Sequence, residues 1–541
     1  MSMLRKKADK KSQSNNVLDT KAFVQKSVLK VEFSDVNKAE LVAYFVDESG
    51  LKKALKSKFG ESLKAEVDLN DFEVKNGKVA NLGFVKGQKV IFVGMGDGKD
   101  SKDKEDGKKS RKEDGKNIVL AVQKAGAKVA DYVICGKKIS VALSNEYCDI
   151  EDKLLVEAYF GFNQRIYRFS KYLTDNEKIK KLPSVSSVVL CGKKKVDVKK
   201  NVEIKDLIEK RQNQLEGIFY ARSFGNEPSN ILYPESFANE VKKAFAGVKN
   251  TKVKVLEKKE LEKLGMNMLL GVAQGSVKEP KVVVVEYNGN SKKKGYDLAL
   301  IGKGVCFDSG GLCLKPSQYM DGMKGDMLGA ATILSSALAI AKNGEKLNLV
   351  AVAGLVENMP DGNAQKVGDI VKSMSGKSVE IIDTDAEGRL VLGDILYYAQ
   401  LNYKPEYMID MATLTGAIMV ALGLERAGVF TNNEELGKKL VASGEKTGDK
   451  CWVMPMGEEY SDAMKSQIAD LRNLSSVRYA GSATAAAFLE NFIDDNKNWA
   501  HIDIAGVDNA TKNNAFGVAD FASGFGVKLI SDFVEENIAK K

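Results

Sequence analysis

The sequence predicts an α/β protein of two domains, each a mostly parallel or mixed sheet covered by helices. Three observations carry this. The 541 residues exceed what one hydrophobic core organises, so at least two domains are expected. Hydrophobic residues make up 44% of the chain, enough for sizeable cores. Beyond residue 226, strand-like and helix-like apolar segments alternate, the pattern of a largely parallel sheet with helices on its faces.

Residues 1–20 are basic and polar and lack the apolar stretch of a secretory signal, so a disordered tail is expected, with a transit peptide as the weaker alternative. An N-terminal α/β domain is expected over 21–203. In it, 27–33 and 89–95 read as strands. Val90–Gly98 carries Gly94, Gly96 and Gly98, but Lys99 stands where a dinucleotide loop needs glycine, so it reads as a strand and a turn. Residues 97–116 are too hydrophilic to pack and read as a mobile charged loop. Asn117–Val129 reads as a helix, Val141–Phe162 as helical and Ser187–Cys191 as a strand. A linking helix is expected over 204–226, punctuated at its end by Asn226-Glu227-Pro228 and Tyr233-Pro234-Glu235.

The second domain is expected over 227–541. Lys281–Tyr287, Asp297–Ile301, Asn348–Leu355, Ser378–Ile382 and Glu406–Met411 read as strands, and Asp326–Lys342 and Leu390–Leu401 as helices. In such sheets, sites gather where strands end at their C-terminal edge.

Composition narrows the chemistry. The most apolar stretch, Met408–Leu424, is interrupted by Asp410 and threonines, so no membrane span is expected. The six cysteines form no C-x-x-C pair and read as reduced thiols, which implies a cytoplasmic protein. The net charge of +9, from 82 basic and 73 acidic residues, fits a mixed solvated surface better than a nucleic-acid footprint. There is a single histidine, His501. Chemistry must therefore rest on carboxylates, lysine, arginine or cysteine, and any metal on oxygen ligands.

Such residues gather at two places. The strand ending at Ile301 opens into GKGVCFDSGGLCLKPS, which brings Lys303, Asp308 and Lys315, with glycines that permit close backbone approach. Met323-Lys324-Gly325-Asp326 follows at the head of an apolar helix. A second strand ends at DTDAEGRL, which carries Asp383, Asp385, Glu387 and Arg389. If that piece is extended, the four share one face. Three carboxylates so placed repel unless a cation neutralises them, and Asp308 and Asp326 add enough ligands for two divalent ions. Taken singly, each fragment also fits a helix cap or a solvated charge.

These motifs resemble the leucyl aminopeptidases, or cytosol aminopeptidases, the M17 metallopeptidases. The family signature N-T-D-A-E-G-R-L stands here as DTDAEGRL, and the loop GKGVCFDSGGLCLKP keeps its spacing to Asp326. LGVAQGS, MATLTGA, RYAGSATAAAFL and WAHIDIAG extend the likeness over roughly residues 220 to 506.

The resemblance implies a C-terminal catalytic domain that hydrolyses the N-terminal bond of peptides with leucine or other apolar first residues. It implies two divalent ions per subunit, Zn²⁺ or Mn²⁺, with Mg²⁺ or Co²⁺ as alternatives. Asp308 and Glu387 would bridge them, Asp385 would complete one site, and Lys303 and Asp326 the other. Lys315 would stabilise the oxyanion, and Arg389 would hold a bicarbonate ion as general base. Met323, Thr413, Leu414 and Gly416 would surround the substrate, and the assembly would be a homohexamer. Asp383 departs from the family's asparagine: it either changes metal affinity or pH optimum, or faces away. His501 is expected to pack in the core, and Cys306 and Cys313 to be buried small residues.

Two other readings compete. A two-metal phosphoesterase would use similar carboxylates, but no Walker-type loop is present. A DNA-binding regulatory role, known among bacterial relatives of the family, would draw on lysines in the tail and in the 97–116 loop, yet acidic residues punctuate that loop.

Overall fold

A computed structural model describes residues 19–57, 72, 74–75, 77–95, 117–193, 197–198 and 200–539. Most of the basic tail and the whole of the charged loop 97–116, on which the nucleic-acid alternative rests, lie outside the described residues. Among those described, no helix is long and apolar enough to cross a membrane.

The chain divides into two compact units. One comprises Ser27–Glu216 with Ala510–Asp520; the other comprises Gly217–Asn509, Phe521–Lys541 and the segment ending at Lys26. This differs from the expected boundaries in two ways. The divide falls inside the long helix Val202–Asn226, and a short C-terminal segment belongs with the N-terminal unit. Phe516 packs on Leu120 and Ala127, and Arg165 donates to the carbonyl of Gly517. A pairing between residues so distant in sequence leaves no local periodic signature.

The N-terminal unit holds a six-stranded sheet of β1 Lys30–Phe33, β2 Leu41–Val46, β3 Val79–Val85, β4 Gln88–Gly94, β5 Lys138–Tyr147 and β6 Ser184–Cys191. Its order is β1-β6-β5-β2-β4-β3, parallel except for the β3–β4 hairpin. Helices α1 Ile118–Ala130 and α2 Leu154–Ile166 lie close together, because a Cβ on Gly126 would sit 2.0 Å from the Ala158 carbonyl oxygen. Asn117 caps α1 by accepting from Leu120 N at 3.0 Å. In place of the expected helix over 141–162, β5 runs through Tyr147 and α2 starts only at Leu154. A continuous apolar run reads equally as buried strand or buried helix, and β5 is buried between β2 and β6.

The second unit is built on an eight-stranded sheet. Its strands are β7 Thr251–Leu256, β8 Lys281–Asn288, β9 Leu298–Asp308, β10 Asn348–Asn358, β13 Tyr407–Ala412, β14 Ala427–Thr431, β15 Cys451–Val453 and β17 Asn498–Asp503. The order is β15-β14-β17-β13-β9-β10-β8-β7, and the central four strands run parallel. A small separate sheet joins β11 Ile370–Lys372, β12 Ser378–Glu380 and β16 Leu471–Arg472. The expected strand 378–382 is therefore shorter and lies outside the main sheet.

Helices α4 Leu328–Asn343 and α5 Gly388–Tyr403 cover the two faces, with α3 being Val202–Asn226. A Cβ on Gly302 would lie 2.6 Å from Ala330 Cα of α4, and one on Gly354 would lie 2.6 Å from Val391 Cγ1 of α5. Gly302 aligns with Ala353 across the ladder, so Gly302 and Gly354 point to opposite faces. The fold is thus mixed α/β with helices on both faces of the sheet, and the site forms where β9, β10 and β13 end.

Candidate functional site

β9 is longer than expected. Lys303 lies inside it, and Asp308 is its last residue. The loop that follows turns at Gly310 and Gly311, whose φ values of +88° and +66° favour glycine. A side chain at Gly310 would also meet Asp385 Oδ1 at 2.8 Å. Asp326 follows the 3₁₀ turn Met323–Gly325 at the head of α4. The second motif is not extended, so its four charged residues do not share a strand face. Asp385 N donates to Asp383 Oδ1 at 2.8 Å, and Ala386 N to Asp383 O at 3.3 Å, which makes a turn. Glu387 then stands as the N-cap of α5, and Arg389 lies in its first turn.

The turn nevertheless delivers the carboxylates. Oxygens of Asp308, Asp385 and Glu387 lie within 4.8 Å of one another. Lys303 Nζ is 2.8 Å from Asp326 Oδ1, 2.9 Å from Glu387 Oε1 and 3.0 Å from the Thr413 carbonyl oxygen. Lys315 Nζ is 2.8 Å from Asp308 Oδ2 and pairs also with Asp385 Oδ1. Four carboxylates thus face two lysines in a pocket where Lys303, Asp308, Asp326 and Glu387 are all buried. Gly388 makes room for this, since a Cβ there would lie 2.6 Å from Lys303 Nζ.

Proton affinities follow from the crowding. Burial, with Asp308 and Glu387 nearby, pushes Asp385 up to about 6 against the hydrogen bond from Lys315. Burial also raises Asp326 and Glu387, and each is raised further by its acidic neighbours. Burial alone would lower Lys303 and Lys315, but the carboxylates around them win and both are raised. Burial pushes Arg389 down to about 10, so it stays cationic near neutrality.

The residues fit divalent cations. Asp326 Oδ2 is buried without a hydrogen-bond partner, and the buried Glu387 Oε1 faces the Lys303 ammonium at 2.9 Å. Oxygen donors in this number suit a hard or borderline divalent ion. Arg389 Nε and Nη1 are also buried and partnerless, which suits an anion.

The expected substrate residues take different places. Thr413 lies against the cluster, its hydroxyl donating to Asp326 Oδ1 at 2.7 Å. Leu414 N donates to Asp503 Oδ1 at 3.1 Å, and Gly416 begins helix α6 Gly416–Leu422 at the surface. Met323 is half-buried at the start of the turn into Asp326. His501 is fully buried in β17, its Nδ1 2.6 Å from Asp410 Oδ1. Cys306 is buried, but Cys313, expected to be buried, is half-exposed because its loop turns outward after Gly311.

Three residues escaped the sequence reading. Asn473 is fully buried, accepts from Ile382 N at 2.7 Å and donates to Asp383 O at 2.6 Å, so it shapes the turn. Asp503 holds Leu414 N and the Thr415 hydroxyl. Asn358 touches Asp308. Asn358 and Asp503 show in the sequence as a polar residue closing an apolar strand, Val352–Asn358 and Trp499–Asp503, whereas Asn473 follows only the two-residue strand Leu471–Arg472.

Residues 219–531 match the catalytic domain of the cytosol aminopeptidase family, peptidase M17. The chain is 46% identical over 372 residues to a probable cytosol aminopeptidase of Rickettsia bellii, covering 69% of this chain and 72% of that one. It is 47% identical over 375 residues to one from Bradyrhizobium sp., with the same coverage of 69% and 72%. Among solved structures, a tomato leucine aminopeptidase mutant superposes with a TM-score of 0.79 at 28% identity, over 94% of this chain and 96% of that one. The bottromycin maturation enzyme BotP in complex with Mn gives 0.76 at 26% identity, over 92% and 99%. The family fits the metal-ready carboxylates and sets aside the phosphoesterase alternative. The chain belongs to the cytosol aminopeptidase family, the M17 metallopeptidases, and is a metal-dependent aminopeptidase with its catalytic domain C-terminal.

Proposed function

We propose that the chain removes leucine and other apolar N-terminal residues from peptides by two-metal hydrolysis. The observation that carries this reading is the convergence of Asp308, Asp385 and Glu387 with Lys303 and Asp326 in one buried pocket. Asp308 and Glu387 would each contribute to both of two divalent-ion sites, Zn²⁺ or Mn²⁺ first among the ions. Asp385 would complete one site, and Lys303 and Asp326 the other. Bound there, such ions supply Lewis acidity that activates a water near neutral pH and polarises the scissile carbonyl. Lys303 would serve there as a neutral amine, its proton released to solvent on metal binding.

Lys315 reaches the cluster from the glycine loop and would stabilise the oxyanion as a fixed positive charge. Arg389, whose Nε and Nη1 are buried without partners, would hold a bicarbonate ion, which would supply a general base there. Thr413, Leu414 and Gly416 would line the peptide, with Met323 contributing to an apolar pocket for the first side chain. The hexameric assembly and cytoplasmic location that the resemblance implies complete the proposal; mass in solution and fractionation of cells test them.

The decisive assay is hydrolysis of a leucine anilide by purified protein, with chelator and with Mn²⁺ or Zn²⁺ restored. Release that is chelator-sensitive, metal-rescued and absent with an N-acetylated substrate supports the reading. Inactivity of folded protein with every metal defeats it.

A further inference from the structure

Asn358 closes β10 and aligns with Asp308, the last residue of β9, after the ladder shifts between Val356 and Asn358. Its side chain is buried, and its one amide group makes two donations. Nδ2 lies 2.8 Å from Asp308 Oδ1 and 3.0 Å from the carbonyl oxygen of Thr384. Its own backbone carbonyl accepts from Ser309 N at 3.0 Å and Ser309 Oγ at 2.7 Å. We propose that Asn358 is a positioning residue that sets the Asp308 carboxylate for cation binding and ties together the two chain segments that carry the acidic cluster. The proposal rests on the metal-centre reading above.

Asp308 Oδ1 receives two donors, Asn358 Nδ2 and Gly310 N, the latter at 2.9 Å. That leaves Oδ2 as the oxygen turned to the charged side of the pocket, where Lys315 Nζ meets it at 2.8 Å. A carboxylate with one oxygen held in this way cannot rotate without losing both bonds. The second donation goes to the peptide joining Thr384 to Asp385, so the same amide fixes where Asp385 begins. Thr384 reinforces the tie: its hydroxyl donates to the Gly310 carbonyl at 2.6 Å and accepts from Cys313 N at 2.8 Å.

The residue type is dictated by the setting. Two acceptors require two N–H donors on one planar head, which a carboxamide provides and a carboxylate or hydroxyl does not. The carboxamide is also neutral, so it orients the Asp308 carboxylate without adding a charge that would compete with a cation for it. Space is closed on the far side, since a Cβ on Gly311 would lie 2.8 Å from Asn358 Oδ1. Groups that orient a metal ligand in this way are worth roughly 10–100-fold in metal affinity when removed.

The test compares wild type with Asn358→Ala and, to keep the volume filled, Asn358→Leu. Each protein is stripped with chelator and titrated with Mn²⁺ against a metal indicator, and the thermal denaturation of the stripped proteins is recorded beside it. The expected result is a fall of roughly 10–100-fold in Mn²⁺ affinity in either variant that folds, with turnover partly restored by raising Mn²⁺. Unchanged Mn²⁺ affinity with only a lowered melting temperature would show a purely structural amide and overturn the inference. If wild type itself takes up no Mn²⁺, the metal-centre reading fails first and this inference with it, an outcome distinct from the preceding one.

Discussion

The two sheets share an architecture and differ in what they bury. In the N-terminal unit the core around Tyr44, Phe92 and Tyr147 is aromatic and apolar, and the ring of Phe92 meets that of Tyr44 edge-on at 6.1 Å. Its buried Glu157 is met from both sides, by Gln123 at 2.7 Å and Arg211 at 2.8 Å. In the catalytic unit, by contrast, Lys303, Asp308, Asp326, Glu387 and Arg389 are buried together, and Asp326 and Arg389 keep polar atoms without partners. Burying charge costs several kcal/mol per ion unless it is paired and hydrogen-bonded. A sheet that needs only to hold itself together avoids that cost. The comparison teaches where fold ends and function begins: at strand ends that accept an electrostatic penalty which a cation and an anion would relieve.

The largest effect should come from Lys315→Ala. The side chain is not counted among the proposed ligands, so Mn²⁺ content should stay at the wild-type level. Turnover should fall by roughly 10²–10³-fold, the cost of one oxyanion-stabilising group. Steady-state kinetics with metal analysis checks both. Loss of metal along with turnover would instead make Lys315 an organiser of Asp308 and Asp385.

Next is Gly388→Ala, which tests whether the buried charges sit in a rigid cradle. The added Cβ would lie 2.6 Å from Lys303 Cε and Nζ. Lys303 must shift away from Asp326 and Glu387, and turnover should drop by roughly 10–100-fold, in line with the cost of misplacing a group by about 1 Å. Kinetics matching wild type would show that Lys303 yields freely, and would weaken the contrast between the two units.

Phe92→Ala strikes the other side of the comparison. Truncating a fully buried Phe should cost about 3–5 kcal/mol of stability. Turnover per active site should stay within about twofold of wild type, because no charged group of the catalytic pocket is touched. Chemical denaturation and active-site titration separate the two. A large fall in turnover at full occupancy would mean that the apolar unit does more than fold.

How much of this was legible beforehand depended on distance along the chain. Lys303, Asp308 and Lys315 announce themselves because one glycine-rich stretch carries all three. Asp385, Glu387 and Arg389 were legible as a motif, but their geometry was not. The turn that aims them is shaped by Asn473, and that hydrogen bond spans 90 residues. Asn358 carried no signal beyond a polar residue at the end of an apolar strand, since its meaning lies in register with Asp308. The sheet itself was readable from alternating apolar segments, whereas the strand hidden in Val141–Phe162 was not, because a run buried on both faces loses its period.

The smallest effect on turnover is expected from Asp394, a buried acid in the same helix as Arg389. It is fully buried, and its Oδ1 accepts from Met374 N at 2.8 Å and its Oδ2 from Leu269 N at 3.0 Å. Unlike the acids of the catalytic cluster it pairs with no lysine among the described residues, and burial pushes it up to about 7 from an ordinary value of 3.8. A raised folded-state value means that the folded protein keeps this proton to higher pH than the unfolded chain does. Its contribution to stability is therefore complete below about pH 4, declines as pH rises to about 7, and is level above that. Asp394→Asn removes the titration but turns an amide N–H₂ toward a backbone donor. The stability advantage of wild type over the variant should be greatest near about pH 4 and shrink by about pH 8, with turnover unchanged at neutrality. Urea unfolding at the two pH values measures it. A gap that widens with pH would mean that the two backbone donors hold the carboxylate as an anion, so that this unit tolerates a buried charge on hydrogen bonds alone, without the cation that the catalytic cluster calls for.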